Sequence, residues 1–344
     1  MKNKILGVLT AMTLCACGGG GGGDSSSMPT ASVYTPSAAV LAARQASYPT
    51  RFWAVLDPAT LPPGTTYGAY GTCSGIDMST TAYVLPNTIT YAAKGVSELS
   101  QQQVAEYSEK AVAEIKAAMG LSSGTGYTGQ PIQICTQTGF IFGSAQGAGD
   151  KNGFRVMSSD STSLDKGFLS NDFDMYKRLL KHELVHTYHN SALGTDNAVL
   201  DTWFAEGLAE YIASGKSSKS KVEIVNLVNT QNPIDITTTG ILASGNLFSN
   251  YPAFQSSVAY LFDANGAKNS LTAIPAFLTL SKANFDNLGT NCGITNTCAT
   301  ARDVAFQQSF EASFKEADGT VMKLRSGTNN LRDTIVARLT NFLQ

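Results

Sequence analysis

The sequence predicts an α+β fold, with a strand-rich first half and a helical second half. Three observations predict it. Short β-like runs containing Tyr, Thr, Ile and Val recur between residues 82 and 157. From residue 170 onward the apolar residues fall at helical spacing instead. All three histidines of the chain crowd into residues 182–189, on the first helix of that second half.

The chain has 344 residues, 43% of them hydrophobic, which is enough for one large domain or two modest ones with a real core. A net charge of −2 and the lack of any basic run argue against a nucleic-acid partner. At the N-terminus Lys2 and Lys4 precede a short apolar stretch, residues 5–14, that reads as an export signal. It is too short to span a bilayer as a stable helix. The run Leu14-Cys15-Ala16-Cys17-Gly18 resembles the bacterial lipobox. That resemblance implies a lipoprotein signal over residues 1–17 and a lipidated Cys17 as the first residue of the mature chain. The expected location is the cell envelope, anchored by lipid to a bacterial membrane on its periplasmic or outer-surface side. An ordinary secretory signal with an incidental cysteine is the alternative. Residues 18–48 are rich in Gly, Ser and Ala and read as a flexible tether, leaving residues 49–344 as the folded domain.

Four further cysteines remain, Cys73, Cys135, Cys292 and Cys298. An even number in an exported chain favours disulfides. Cys292 and Cys298 flank a short Gly/Thr/Asn loop and are expected to pair locally, which leaves Cys73 with Cys135. A cysteine metal site is the weaker reading, since no CxxC spacing occurs.

Within the strand-rich part, about residues 49–165, strands are expected at 82–85, 88–91, 132–135, 139–142 and 154–157. Residues 143–153 read as a Gly-rich loop. Ser100 and Gln103 fit a capping box for a helix that runs to Met119 and stops at Gly120. In the helical part, about residues 170–344, Ser170 or Asn171 is expected to cap a helix reaching Leu193, with Gly194 as its stop. A second helix is expected from Asp201 or Thr202 to Ser214. Further helices are expected near 220–230, 251–264, 271–282, 301–315 and 329–343.

The chemistry concentrates in His182-Glu183-Leu184-Val185-His186-Thr187-Tyr188-His189. Residues i and i+4 share a helix face, so His182 and His186 can both turn a ring nitrogen to one metal ion. Glu183 sits beside that ion, placed to take a proton from a water the metal activates. The flanking Phe173, Tyr176, Leu179, Leu180, Leu184 and Val185 make this a core helix, and a buried histidine pair needs a partner such as a metal. His189 shares the face but lies about 10 Å further along the axis than His182, too far for one ion to take both. It reads as a local hydrogen-bonding residue or, alternatively, as one near a substrate cleft.

After the HExxH and 19 intervening residues comes Trp203-Phe204-Ala205-Glu206-Gly207-Leu208-Ala209-Glu210-Tyr211. This combination resembles the gluzincin zinc peptidases, the group that contains thermolysin-like, aminopeptidase-N-like and clostridial collagenase enzymes. The resemblance implies a thermolysin-like zincin domain, one Zn²⁺ per chain, and Glu206 as the third metal ligand. It also implies that Glu210, one turn on, orients His182 from behind. Gly207 is expected to let the two helices approach closely. Trp203 is expected in the core. The helix beginning Tyr251-Pro252-Ala253-Phe254 is similar to one in which an initial Tyr donates to the oxyanion, so Tyr251 is the expected donor and Tyr260 a core residue.

The resemblance spans roughly residues 170–265. No GxMEN-like stretch accompanies it, which speaks for an endopeptidase over an aminopeptidase. The peptide or protein substrate is then expected along an edge strand, at 139–142 or 154–157. The competing expectation is a metal-binding surface lipoprotein that serves as a binding or assembly module without catalysis. Oligomeric state is not legible in the sequence.

Overall fold

The structure, a computed structural model, describes residues 54–56, 78–93, 95–137, 145–149, 153–158, 175–194, 199–236, 247–288 and 299–343. Among these, six strands form one mixed sheet: β1 (Ala54–Leu56), β2 (Met78–Val84), β3 (Thr88–Ala93), β4 (Ile132–Gln137), β5 (Ala145–Gly149) and β6 (Gly153–Ser158), in the order β1-β2-β3-β4-β6-β5. Eight α-helices accompany it: α1 (Glu98–Met119), α2 (Met175–Leu193), α3 (Thr202–Ser214), α4 (Lys221–Thr230), α5 (Leu247–Phe262), α6 (Ile274–Asp286), α7 (Ala299–Ser313) and α8 (Leu331–Phe342). The fold is α+β, mostly helical, as the two-part pattern of the sequence predicts. No described helix is long and apolar enough to cross a membrane.

The sheet starts as an antiparallel hairpin, β2–β3, with Val84 opposite Ile89. The link from β3 to β4 is parallel and needs a crossover, which α1 supplies. Ile132 and Ile134 of β4 face the helices and join their core, with Val104, Val112, Ile115 and Met119 of α1. Cys135, one residue on, points to the other face with Ile89 and Tyr91, as the two-residue period of a strand requires. β6 runs parallel to β4, and β5 pairs antiparallel with β6 at the margin of the sheet.

Three expectations change here. The first concerns the start of α1. The cap is Ser97, whose hydroxyl accepts the Ser100 N–H at 3.1 Å, and Ser100 is already inside the helix. The Ser100/Gln103 box is therefore placed three residues too late, because serines stand at both 97 and 100. The far end is as read: Gly120 has φ +67° and its N–H, with that of Leu121, closes the last turn on Ala117 and Lys116.

The second concerns residues 143–153, expected as a loop. They contain β5, Ala-Gln-Gly-Ala-Gly, whose small side chains carry no alternating apolar signal; its ladder with β6 holds it as a strand. The third follows from it. β6, expected as an edge, lies between β4 and β5, so the margin on that side is β5. The strand candidate at 139–142 lies outside the described residues, as do Cys17, Cys73, Cys292 and Cys298. Cys135 is buried on β4.

The helical half follows the apolar spacing closely. α2 ends at Leu193 with Gly194 at φ +68°, its N–H donating to Asn190 O at 2.9 Å; its start at Ser170 or Asn171 lies outside the described residues. α3 occupies the expected 202–214. Phe204, Phe277, Phe306, Phe310 and Phe314 pack ring on ring at centroid spacings of 4.8–6.4 Å and tie α3, α6 and α7 into one core. Trp203 is fully buried there, as expected. Tyr260 is only partly buried: its ring meets Phe342, and its hydroxyl accepts from Arg338 Nη1 at 2.9 Å.

Gly207 serves a different pair of helices from the one expected. A Cβ placed there would lie 2.5 Å from Phe254 O and 2.7 Å from Val258 Cγ2, both on α5. The close approach is thus between α3 and α5. α5 also closes the end of α3, since Gln255 Nε2 donates to Ser214 Oγ at 2.8 Å and Gly215 O at 2.9 Å. At the other end, Asp201 stands at the helix cap but its carboxylate accepts from Trp203 Nε1 at 3.2 Å and pairs with Arg325 rather than with a helix N–H. α3 is gripped at both ends, and it carries Glu206 and Glu210 between them.

Candidate metal centre

α2 supplies two of the converging groups. Its apolar side, Tyr176, Leu179, Leu180, Leu184 and Val185, is buried in the core and fixes the helix rotation. On the far flank Thr187 Oγ1 donates to Gly153 O at the start of β6, at 3.2 Å. Held this way, His182 and His186 share one face.

α3 brings Glu206 to them. His182 Nε2 and His186 Nε2 are 2.9 Å apart, and Glu206 Oε2 lies 3.3 Å from the first and 3.2 Å from the second. All three residues are buried. A tetrahedral centre with bonds of about 2.0–2.1 Å sets its ligand atoms about 3.3 Å apart. The observed edges are close to that, and the donor set is two imidazoles and one carboxylate. The group could bind a metal ion, and it is the only such group of His, Cys, Asp and Glu among the described residues.

Glu210 stands behind His182, with Oε1 3.2 Å from Nδ1. A hydrogen on Nδ1 facing that carboxylate leaves the Nε2 lone pair for the ion. Burial pushes the Glu210 carboxyl up, but His182 and then Arg178 outweigh it and hold the group below its ordinary range. Burial likewise pushes Glu206 up, and the two imidazoles overcome it, keeping that carboxyl well below the usual range. Both are therefore carboxylates at neutral pH.

Glu183 behaves in the opposite way. It is fully buried, and neither carboxylate oxygen has a hydrogen-bond partner among the described residues. Burial raises its pKa, against the pull of His182 and His186. A raised, buried carboxyl beside a group of possible metal ligands is chemically able to exchange a proton.

Tyr251 comes to the same place from α5. Its ring lies 6.1 Å from that of His182, nearly parallel to it, and the side chain is buried. It is the fifth residue of α5 and not its first, because the helix begins at Leu247. His189 is fully buried with its ring 5.9 Å from that of His186. The local hydrogen bond expected of it is not made: neither ring nitrogen has a partner among the described residues. Burial, then the neighbouring His186, hold its pKa well below the ordinary value, so the ring is neutral.

One residue escaped the sequence reading. Arg178 Nη1 lies 3.6 Å from Glu210 Oε2 at the solvent side of the site. Its signal was its spacing, one turn before His182 on the same helix face. No protein-family model matches the chain, and no curated protein matches it.

Proposed function

We propose that the chain is a zinc-dependent endopeptidase of the gluzincin type, built on a thermolysin-like zincin domain. The observation that carries this reading is the triangle of His182 Nε2, His186 Nε2 and Glu206 Oε2, with edges of 2.9–3.3 Å beside a buried Glu183. Two imidazoles and a carboxylate in tetrahedral spacing suit Zn²⁺, and a three-residue ligand set leaves a position open for chemistry.

His182, His186 and Glu206 would hold the ion. Zinc held there would supply Lewis-acid chemistry, activating a water and polarising the substrate carbonyl. Glu183 would take a proton from the attacking water and pass it to the leaving amine; its buried side chain, without a hydrogen-bond partner among the described residues, supports that role. Glu210 fixes the tautomer of His182 and raises its basicity. Tyr251, with its ring against His182, is the donor to the oxyanion that develops as the carbonyl is attacked.

An extended substrate fits the margin of the sheet at β5, which packs on α2 and pairs on one side only among the described residues. Attachment through a lipidated Cys17 would hold this domain at a bacterial membrane, with peptides or proteins of the envelope as substrates. Cys73–Cys135 and Cys292–Cys298 remain the disulfides proposed for that oxidising setting.

The test is the zinc content of a purified chain lacking residues 1–17, beside Glu206→Ala, with cleavage of an unfolded protein followed with and without chelator. About one zinc per chain, lost in the variant, and chelator-sensitive cleavage are expected. A chain that takes no zinc when supplied with it would sink the metal reading. Zinc without cleavage would favour a binding module over an enzyme.

A further inference from the structure

The two metal-ligating histidines are supported unequally. His182 Nδ1 has Glu210 Oε1 as an ion-pair neighbour at 3.2 Å, although those two atoms do not meet in hydrogen-bond geometry. His186 Nδ1 is buried and has no hydrogen-bond partner among the described residues. A ligating histidine nearly always gives its second N–H to some acceptor, because that bond fixes ring orientation and tautomer. The adjacent polar group is His189, buried completely and equally without a partner at either nitrogen. The His186 Nδ1 and both His189 nitrogens, left without partners among the described residues, are costly in a core unless something joins them.

Their spacing says what joins them. Helical side chains lean toward the N-terminus, so the His189 ring leans over the turn that carries His186. The ring centres are 5.9 Å apart and the planes nearly perpendicular, at 70°. An imidazole nitrogen lies about 1.1 Å from its ring centre and a hydrogen bond to it spans about 3 Å, so directly bonded rings sit no more than about 5.2 Å apart. One intervening water extends the reach to about 7.8 Å. The observed separation rules out the direct bond and suits the bridge. An imidazole with one N–H and one bare nitrogen can both accept from that water and give it a hydrogen.

We propose that His189 is the positioning partner of His186, reached through one buried water, as Glu210 is the partner of His182. The inference rests on the metal reading above. It gives the two ligands different supports, a carboxylate behind His182 and an imidazole behind His186. The third histidine of the chain thus serves the site without touching the ion.

The experiment uses the full folded domain, zinc alone as the probe, and the variants His189→Phe and His189→Gln. Zinc affinity is measured by competition with a chelator, and the imidazole N–H of His186 by nitrogen-15 NMR. The wild type is expected to show a slowly exchanging His186 Nδ1–H. His189→Phe is expected to lose that signal and about tenfold in zinc affinity. His189→Gln, which can still accept and donate, is expected to restore most of both. Unchanged affinity and an unchanged N–H signal in His189→Phe would overturn the proposal. So would rapid solvent exchange of the His186 N–H in the wild type, a result that needs no variant. Should the wild type take no zinc, the metal reading falls, and the same N–H comparison in the metal-free chain still decides the pairing.

Discussion

Glu210 Oε1 stands 3.2 Å from His182 Nδ1, on the side of the ring away from Glu206. The two carboxylates of α3 therefore grip one imidazole from both ends, four residues apart on one helix face. Glu210→Ala is expected to lower metal affinity by about 10–100-fold while the fold persists. Glu210→Gln keeps an acceptor for the Nδ1 hydrogen and is expected to lose less. Competition titrations of the two variants check the order; equal affinities for Ala, Gln and wild type would remove Glu210 from the site.

Glu183 is not one of the three residues grouped as possible ligands, so its loss is expected to separate chemistry from binding. Glu183→Gln is expected to retain a full complement of zinc and to cut hydrolysis of an unfolded protein by about a hundredfold or more. Near-normal cleavage would end its role as general base.

Arg178 meets Glu210 at 3.6 Å but is close to half exposed, so the pair is screened by solvent. Arg178→Ala is expected to change metal affinity only a few-fold, far less than Glu210→Ala. A loss as large as that of Glu210→Ala would show that the arginine holds the carboxylate in place.

The candidate ligands were legible for two reasons: His182 and His186 stand at i and i+4 on one helix, and Glu206 follows from the resemblance to the gluzincin peptidases. The ends of α2 and α3 were legible from local spacing, with Gly194 and Ser214 where the apolar period stops. What failed was tertiary. Nothing near Gly207 in sequence says that its partner is Phe254 rather than α2. β5 is written in Ala and Gly and became a strand only because β6 offered a ladder. His189 was expected to find a hydrogen bond nearby in sequence, whereas packing seals it in the core beside His186.

Gly207 makes the α3–α5 contact testable. A methyl at this position meets backbone at 2.5 and 2.8 Å, which a side-chain rotation cannot relieve. Gly207→Ala is expected to cost about 1–3 kcal/mol by overpacking, against the gain Ala normally brings to a helix. Since Glu206 is the preceding residue, metal affinity is expected to fall with stability. Thermal unfolding with and without zinc checks both. A variant as stable as the wild type would mean the helices have room to part.

Asp201 gives a prediction with a sign. It is buried at the head of α3, where Arg325 pairs with it while also donating to Ile234 O at 2.9 Å. Burial raises its carboxyl from 3.8 to about 7, with Asp303 adding to the rise and Arg325 opposing it. The folded chain thus holds this proton more tightly than the unfolded chain does. Between pH 4 and 7 the folded state binds more protons, so the contribution of Asp201 is full below pH 4 and is lost as pH rises through 7. The slope approaches about 1.4 kcal/mol per pH unit within that window. Relative to Asp201→Asn, which cannot titrate, wild-type stability is expected to fall from pH 4 to 7 and then level off. Denaturant unfolding of both chains across that range measures the difference. A flat difference would mean the Arg325 guanidinium keeps the carboxylate ionised throughout, and the head of α3 would then be fastened by an ion pair at every pH tested.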